Sequence, residues 1–204
     1  MMSKCIQWRF SAAAAATQFL ESASQSIRLG VRKVVLHENK RSVANSECHV
    51  LGLVPFCSQN PHLQIQRRLN VWGNFSTAPA DNDPSRFASL IADGAYAWHN
   101  QQYAIYIGEN YCKWITEAYA LSSNGMPAGS FSLVFDGDPA LEQSSQMFEY
   151  VKENAAWQSA QAQWFIDHRL SPGPVAKIVG AFYMSAIFPQ AIKDLVEGTS
   201  LHKL

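Results

Sequence analysis

The chain has 204 residues with 16 Lys or Arg and 16 Asp or Glu, so its formal net charge at pH 7 is zero. A neutral chain lacks the strongly basic balance of a general nucleic-acid binder, and 48% apolar residues exclude a disordered chain. No run of about 18 apolar residues is present, which argues against a membrane-spanning helix.

The charges are sorted along the chain. Residues 1–80 hold nine Lys or Arg and three acids, a net charge of +6, whereas residues 81–204 hold seven Lys or Arg and thirteen acids, a net charge of −6. Opposite charges on two segments indicate that the segments face each other, or that each attracts a partner of opposite sign. This sorting divides the chain into a basic α+β part at 1–75, a linker at 76–85 and an acidic, mainly helical part at 86–204.

The basic part begins with a predicted strand and two predicted helices. Apolar and polar residues alternate over residues 6–10, which is typical of a half-buried strand. Ser11 predicts the N-cap of an Ala-rich helix that ends near Ser22. Apolar residues on one face predict a second helix from Gln25 to Leu36.

A short helix and a second strand complete the basic part. The apolar residues around Pro55 predict a short helix that has the proline at its start or is broken by it. Asn60-Pro61 predicts a turn, and Leu63 and Ile65 alternate with glutamines in a predicted strand.

The acidic part is mainly helical in its pattern. One predicted helix opens at Pro84-Ser85 and extends to Trp98, and a second carries its apolar face from Ile107 to Ala118. Residues 122–129 read as a loop, and residues 130–135 read as the clearest strand of the chain.

The remaining elements set the fold class. Asp138 predicts an N-cap with Pro139 at the first helical position, and the helix extends toward Phe165. The stretch 175–188 fits a helix or a strand, and a last short helix is predicted over 189–198. Together the elements predict an α+β fold, namely a helix-dominated single domain of residues 1–204 with a small sheet.

The cysteines and the two chain ends bear on location. The cysteines have no paired spacing; they are Cys5, Cys48, Cys57 and Cys112. The first residues form no apolar leader, so we expect reduced thiols and an intracellular protein, cytoplasmic or nuclear. His202-Lys203-Leu204 suggests a peroxisomal alternative, because the peroxisomal address is Ser-Lys-Leu.

Fifteen residues contain both kinds of zinc donor, namely Cys48, His49, Cys57 and His62. Structural zinc sites usually space their ligands as C-x₂₋₄-C or H-x₃₋₅-H pairs, and neither spacing occurs here. We interpret this segment as a buried thiol beside ordinary loop histidines. A zinc site is the first alternative, and a thiol nucleophile assisted by His49 is the second.

Asp136-Gly137-Asp138 follows the predicted strand at 130–135. Two carboxylates in this position can hold a hard cation and a diphosphate, as in metal-dependent glycosyltransferases. A turn at Asp136-Gly137 and a cap at Asp138 account for the same residues. We therefore predict no metal and no cofactor, and a metal at Asp136 and Asp138 stays an alternative.

Two further residue groups are candidate sites. A pocket where two helices meet is predicted from His99, Tyr103, Tyr106 and Tyr111. A histidine there could exchange protons near neutral pH, but half-buried packing at a helix corner is the preferred interpretation of the group. An anion-binding surface is predicted from Arg28, Arg32, Lys33, Arg67 and Arg68.

Several patches of the chain resemble an uncharacterised family of filamentous-fungal intracellular proteins, loosely grouped with F-box-like proteins. The patches are Ser26–Leu29, Arg32–Glu38, Ser42–Ala44, Glu47–His49, Gly52–Cys57, Asn60–Leu63, Arg67-Arg68, Gly125–Phe131, Asp136-Gly137 and Phe188–Ala191. The resemblance implies no activity, cofactor or catalytic residue. It also implies that this chain is a shortened member of the family, because the relatives continue with a further strand. Ala23-Ser24 replaces the Leu-Pro start of an F-box-like helix, which argues against a ubiquitin-adaptor role.

The chain contains no phosphate-binding, dinucleotide-binding, zinc-protease or nucleophile-elbow motif. The leading hypothesis is a non-enzymatic protein-interaction module with a protein partner. The alternative is a small cofactor-independent enzyme or ligand-binding protein that takes an apolar metabolite in an aromatic pocket. A nucleic-acid binder is the third hypothesis, and it rests on the five basic residues named above.

Overall fold

The computed structural model describes residues 10–38, 46–74, 97–169 and 184–198. The protein is α+β, with many helices and a small sheet, as the sequence predicts. The chain forms two compact units. The sheet unit comprises Met1–Asn74, Ala120–Asp136 and Leu201–Leu204, and the helical unit comprises Phe75–Tyr119 and Gly137–Ser200.

The elements follow in chain order. They are α1 (Ala12–Ser22), α2 (Gln25–Gly30), β1 (Lys33–Glu38), a 3₁₀ helix (Ser46–Leu53), α3 (Val54–Gln59), β2 (Gln64–Asn70), α4 (Val71–Asn74), α5 (Ala97–Ala120), β3 (Phe131–Asp136), α6 (Leu141–Asp167) and α7 (Phe188–Val196).

Helix α1 begins and ends where its sequence predicts. Ser11 has an extended backbone, and its Oγ accepts a hydrogen bond of 3.0 Å from the Ala14 N–H. The predicted cap is therefore confirmed. Of the predicted strand at 6–10, residues 6–9 lie outside the described residues, and Phe10 is exposed.

The predicted helix from Gln25 to Leu36 is wrong in its second half, because α2 ends at Gly30 and the next residues form β1. The Asn60 side-chain amide donates to the carbonyls of Arg28, Leu29 and Val31, at 2.9, 3.3 and 2.8 Å. These bonds satisfy carbonyl groups that the end of a helix leaves open. The β-branched pair Val34-Val35 then favours the strand.

The sheet has the order β1-β2-β3, and both strand pairs are parallel. Its buried face is built by alternate residues, among them Leu36, Ile65, Leu69 and Leu133. The strands predicted around Ile65 and at 130–135 are confirmed, and so is the short helix at Pro55. The third strand comes from the acid-rich part of the chain.

Within the described residues, the helical unit contains α5, α6 and α7. Helix α5 is continuous over Ala97–Ala120, so the corner predicted between Trp98 and Ile107 does not exist. Buried Gln158 of α6 donates to the carbonyls of Met184 and Ser185, at 3.2 and 3.0 Å, and accepts from the Met184 N–H at 3.2 Å. These bonds hold the segment that leads into α7.

The final helix is confirmed. Helix α7 has Pro189 in its first turn, and Gly198 lies beyond its end with a φ of 69°. Several other predictions lie outside the described residues, namely the linker at 76–85, the helix opening at Pro84-Ser85, most of the stretch 175–188, and the end at His202-Lys203-Leu204. Among the described helices, none is both long and apolar enough to cross a membrane.

Candidate functional site

The carboxyl ends of the parallel strands carry a polar cluster in the sheet unit. The Glu38 carboxylate accepts 3.0 and 3.3 Å hydrogen bonds from the Arg67 guanidinium, and both side chains are almost fully buried. The same carboxylate accepts from the N–H groups of Ala12 and Ala13, at 3.0 and 3.4 Å. A carboxylate at a helix N-terminus is stabilised by the partial positive charge there.

The amide of Asn74 extends this cluster. It donates to the backbone carbonyl of Glu38, and to that of Asn70 at 2.9 Å. Asn74 therefore ties the ends of β1 and β2 together. Open α/β sheets bind ligands at the carboxyl ends of their strands, but here these polar groups bind one another.

Ser11 and His49 form a hydroxyl–imidazole pair, with 2.6 Å between Oγ and Nδ1. A serine nucleophile needs such a base, and it also needs room for a substrate. Ser11 is only 1% exposed, and the nearby N–H groups of α1 bond to Ser11 and Glu38. The pair therefore caps α1 and anchors the 3₁₀ helix.

The predicted zinc donors have separate environments. Cys48 is exposed, Cys57 is buried, and His49 bonds to Ser11. Burial raises the pKa of the Cys57 thiol to about 11, which keeps it protonated and unreactive at neutral pH. His62 is exposed, and no metal-binding group of three donors occurs in the part of the chain that the structure describes.

The D-x-D acids also have ordinary contacts. Asp136 forms an ion pair with Arg68 inside the sheet unit, with 3.1 Å between the carboxylate oxygen Oδ2 and the guanidinium nitrogen Nη2. Asp138 is exposed in a turn, and α6 begins at Leu141 with Ala140 as its N-cap. The predicted cap at Asp138 is therefore wrong, because the turn at Asp138-Pro139 delays the helix by two residues.

The basic residues do not form one surface. Arg67 is 1% exposed and bound to Glu38, which corrects its prediction as a binding residue. Lys33 and Arg68 lie on the opposite face of the sheet but are not neighbours, because Lys33 pairs with Gln64 whereas Arg68 pairs with His37, two same-face rows further along. Arg32 bonds weakly to the Leu29 carbonyl, at 3.4 Å, next to α2, which carries Arg28.

The predicted aromatic pocket falls on one helix. His99, Tyr103, Tyr106 and Tyr111 all belong to α5, so they do not mark a corner between two helices. Tyr111 is 1% exposed, and its ring lies 6.1 Å from that of Phe148. Tyr111 is therefore a core residue, and its burial raises the pKa of the phenol, which stays protonated at neutral pH.

The surface of α6 carries a group that the sequence interpretation missed. Tyr150, Trp157 and Trp164 are seven residues apart, so they share one side of the helix, and we call them the aromatic line. Trp157 is 76% exposed and Trp164 is 49% exposed. The Trp164 ring stacks on His168, with centroids 4.3 Å apart and planes at 27°.

All the acids of α6 lie on one side of that line. They are exposed, they fall within about 40° of one another on the helical wheel, and we call them the acidic flank: Glu142, Glu149, Glu153 and Asp167. Glu149 pairs with Lys152 at 2.6 Å, and Asp167 accepts from Gln163 at 2.8 Å. Lys152 is the only basic residue of α6.

A groove lies between α6 and α7. Its volume is about 590 Å³, and its apolar lining comes mainly from Ala155, Ala162, Ile166, Pro189, Ile192 and Val196. Lys152, Lys193 and Glu197 also line it. Pockets for small molecules usually measure about 300–1,000 Å³, so this groove is large enough for a small ligand.

No protein-family model, curated protein or solved structure matches this chain. The resemblance to filamentous-fungal, F-box-like proteins therefore stays a prediction.

Proposed function

We propose that the protein is a non-enzymatic protein-interaction module and that α6 is its binding surface. The observation that carries this proposal is the exposure of Trp157 and Trp164 on one side of a 27-residue helix. Large aromatic side chains are usually buried, and they dominate binding energies where partners meet.

The apolar area that Trp157 and Trp164 expose is large enough to contribute substantially to binding a protein partner. The exposed parts of the two tryptophans amount to roughly 300 Å² of apolar surface, which corresponds to about 7 kcal/mol of gross stabilisation on burial. Association costs about 4–15 kcal/mol in lost freedom. A stable complex therefore needs further contacts, and the acidic flank lies beside the aromatic line to supply them.

The polar groups of the sheet unit have structural roles that favour the same proposal. Glu38, Arg67 and Ser11 each bond within the unit and are almost fully buried. Such groups stabilise the fold and do not meet a substrate. The exposed groups of α6 are available to a partner.

Affinity capture from native cell extract tests the proposal. We expect the full chain to retain a partner in stoichiometric amount, and W157A/W164A to lose it. Phe19→Ala is the matched control, because Phe19 is also exposed, at 55%, but lies on α1. A strictly monomeric native mass without a stoichiometric partner, or equal capture by the tryptophan double variant, would contradict the proposal.

A second candidate function is the binding of an apolar metabolite in the groove between α6 and α7, which the groove volume of about 590 Å³ favours. The dye 1-anilinonaphthalene-8-sulfonate should brighten on the wild type. Ala162→Trp, which fills the groove, should abolish that signal. Ala160→Trp, at an exposed position of α6 outside the groove, should preserve it. Equal signals from the two variants would remove this candidate.

A further inference from the structure

We infer that the partner segment bound by α6 is cationic and carries arginines about 10 Å apart. This inference rests on the proposed function, because it takes α6 to be the binding surface. It adds to the proposed function the charge and the residue type of the partner segment that binds α6.

The first argument is charge. The acidic flank places four carboxylates along about 37 Å of helix axis, with a single lysine on the same helix. Charge complementarity selects partners and speeds their association. A partner segment that covers this side of α6 must therefore supply positive charge.

The second argument is the combination of carboxylate and ring. Glu153 precedes Trp157 by four residues, and Asp167 follows Trp164 by three, so each tryptophan has an acidic neighbour on its own side of the helix. A guanidinium can stack on an indole face and bond to a carboxylate at the same time. Each tryptophan–acid couple is thus suited to one arginine.

Trp164 already shows this kind of stacking. The imidazole of His168 lies over its ring with a centroid separation of 4.3 Å, while the His168 Nδ1 is 2.8 Å from the Trp164 carbonyl oxygen. The ring therefore accepts a planar nitrogen-containing group on its face. Trp157 is the more exposed of the two rings and offers a larger face to a partner.

The spacing of the couples defines the partner more narrowly. Trp157 and Trp164 are seven residues apart, or about 10.5 Å along the axis. Arginines seven residues apart on one side of a partner helix match that distance.

The test uses the full chain and a labelled 21-residue Ala/Gln helix with arginine at positions 4, 11 and 18. The control peptide carries neutral citrulline at those positions. We expect the arginine peptide to bind at least about tenfold more tightly by fluorescence anisotropy, a difference of about 1.4 kcal/mol. Trp157→Ala and Glu153→Gln should each weaken it about fivefold or more, and Glu197→Gln, an exposed acid beyond α7, should not.

The outcomes separate this inference from the proposed function. Equal binding of both peptides, no binding up to 1 mM, or unchanged binding by Glu153→Gln would each overturn the cationic partner. If W157A/W164A still loses its captured partner in that case, α6 remains an interaction surface. Self-association of the full chain that Glu153→Gln abolishes would support the inference, with a second copy as the cationic partner.

Discussion

The buried charged pair of the sheet unit and the exposed acids of α6 in the helical unit differ in what they contact. In the sheet unit, Glu38 and Arg67 are buried at 3% and 1% exposure and bond to each other. In the helical unit, Glu153 and its neighbours on the acidic flank are exposed to solvent. The Glu38–Arg67 contact therefore lies within the core of the sheet unit, whereas the carboxylates of the acidic flank on α6 face solvent.

The difference follows from the local architecture. A parallel sheet brings the ends of β1 and β2 to one edge, so residues distant in sequence meet there and can pair. A long helix instead presents a full side to water when only part of its circumference is packed. Side chains of the same chemistry thus stabilise the fold in one unit and remain available for binding in the other.

The largest expected effect is in the buried pair. Arg67→Leu leaves the Glu38 charge buried without its cation, so we expect a loss of about 3–5 kcal/mol in the free energy of unfolding, measured by urea denaturation. Arg68→Leu is the control in the same strand. Its pair with Asp136 is partly exposed, and its loss should cost about 1 kcal/mol or less. Equal losses would contradict the structural role of Arg67.

A smaller effect is expected at Gln158 in the helical unit. Gln158→Leu removes three hydrogen bonds to the backbone of Met184 and Ser185 and leaves those backbone groups without these partners. It should therefore lower the free energy of unfolding by about 1–3 kcal/mol. Gln146→Leu on the exposed side of α6 should be close to neutral. Thermal melting of the two variants compares them, and a neutral Gln158→Leu would refute the anchoring role.

The cap of α1 should contribute less. Ser11→Ala removes the bond to the Ala14 N–H and the contact with His49, and a typical cap is worth about 1 kcal/mol. Ser24→Ala is the control, because Ser24 caps the six-residue α2 with a longer bond of 3.5 Å. A smaller loss for Ser11→Ala than for Ser24→Ala would argue against the buried cap.

At neutral pH the smallest effect is at Cys57, because its contribution to stability changes only above about pH 9. Burial raises its pKa from 9.0 to about 11, so folding favours the protonated thiol. That stabilisation is complete below pH 9 and declines as the pH rises toward 11. The free energy of unfolding of the wild type should therefore fall faster with pH than that of Cys57→Ala, by urea denaturation from pH 8 to 11. Parallel curves would show that Cys57 is not desolvated.

Part of this structure could be predicted from local patterns. Ser11, Pro55, Pro189 and Gly198 act through their own backbone geometry or capping bonds, and each appears where its residue type predicts. The end of α2 is only partly marked by local residues, namely Gly30 and the β-branched pair Val34-Val35. It depends on Asn60, which is about thirty residues away and reaches three carbonyls near Gly30.

The sites show the same division between local and distant information. Arg67 alternates with Ile65 and Leu69, a pattern that is compatible with burial, but its partner Glu38 is known only once β1 and β2 pair. The seven-residue spacing of Trp157 and Trp164 is visible in the sequence. That spacing indicates an exposed surface only when the packed side of α6 is known.

The most direct test of the contrast between the units compares two identical chemical changes in the full chain. Glu38→Gln and Glu153→Gln each remove one negative charge and preserve side-chain size. Urea denaturation should show a loss of about 3 kcal/mol or more for Glu38→Gln, and a change within about 0.5 kcal/mol for Glu153→Gln. Similar stabilities for the two variants, in either direction, would contradict the assignment of buried charge to folding and exposed charge to binding.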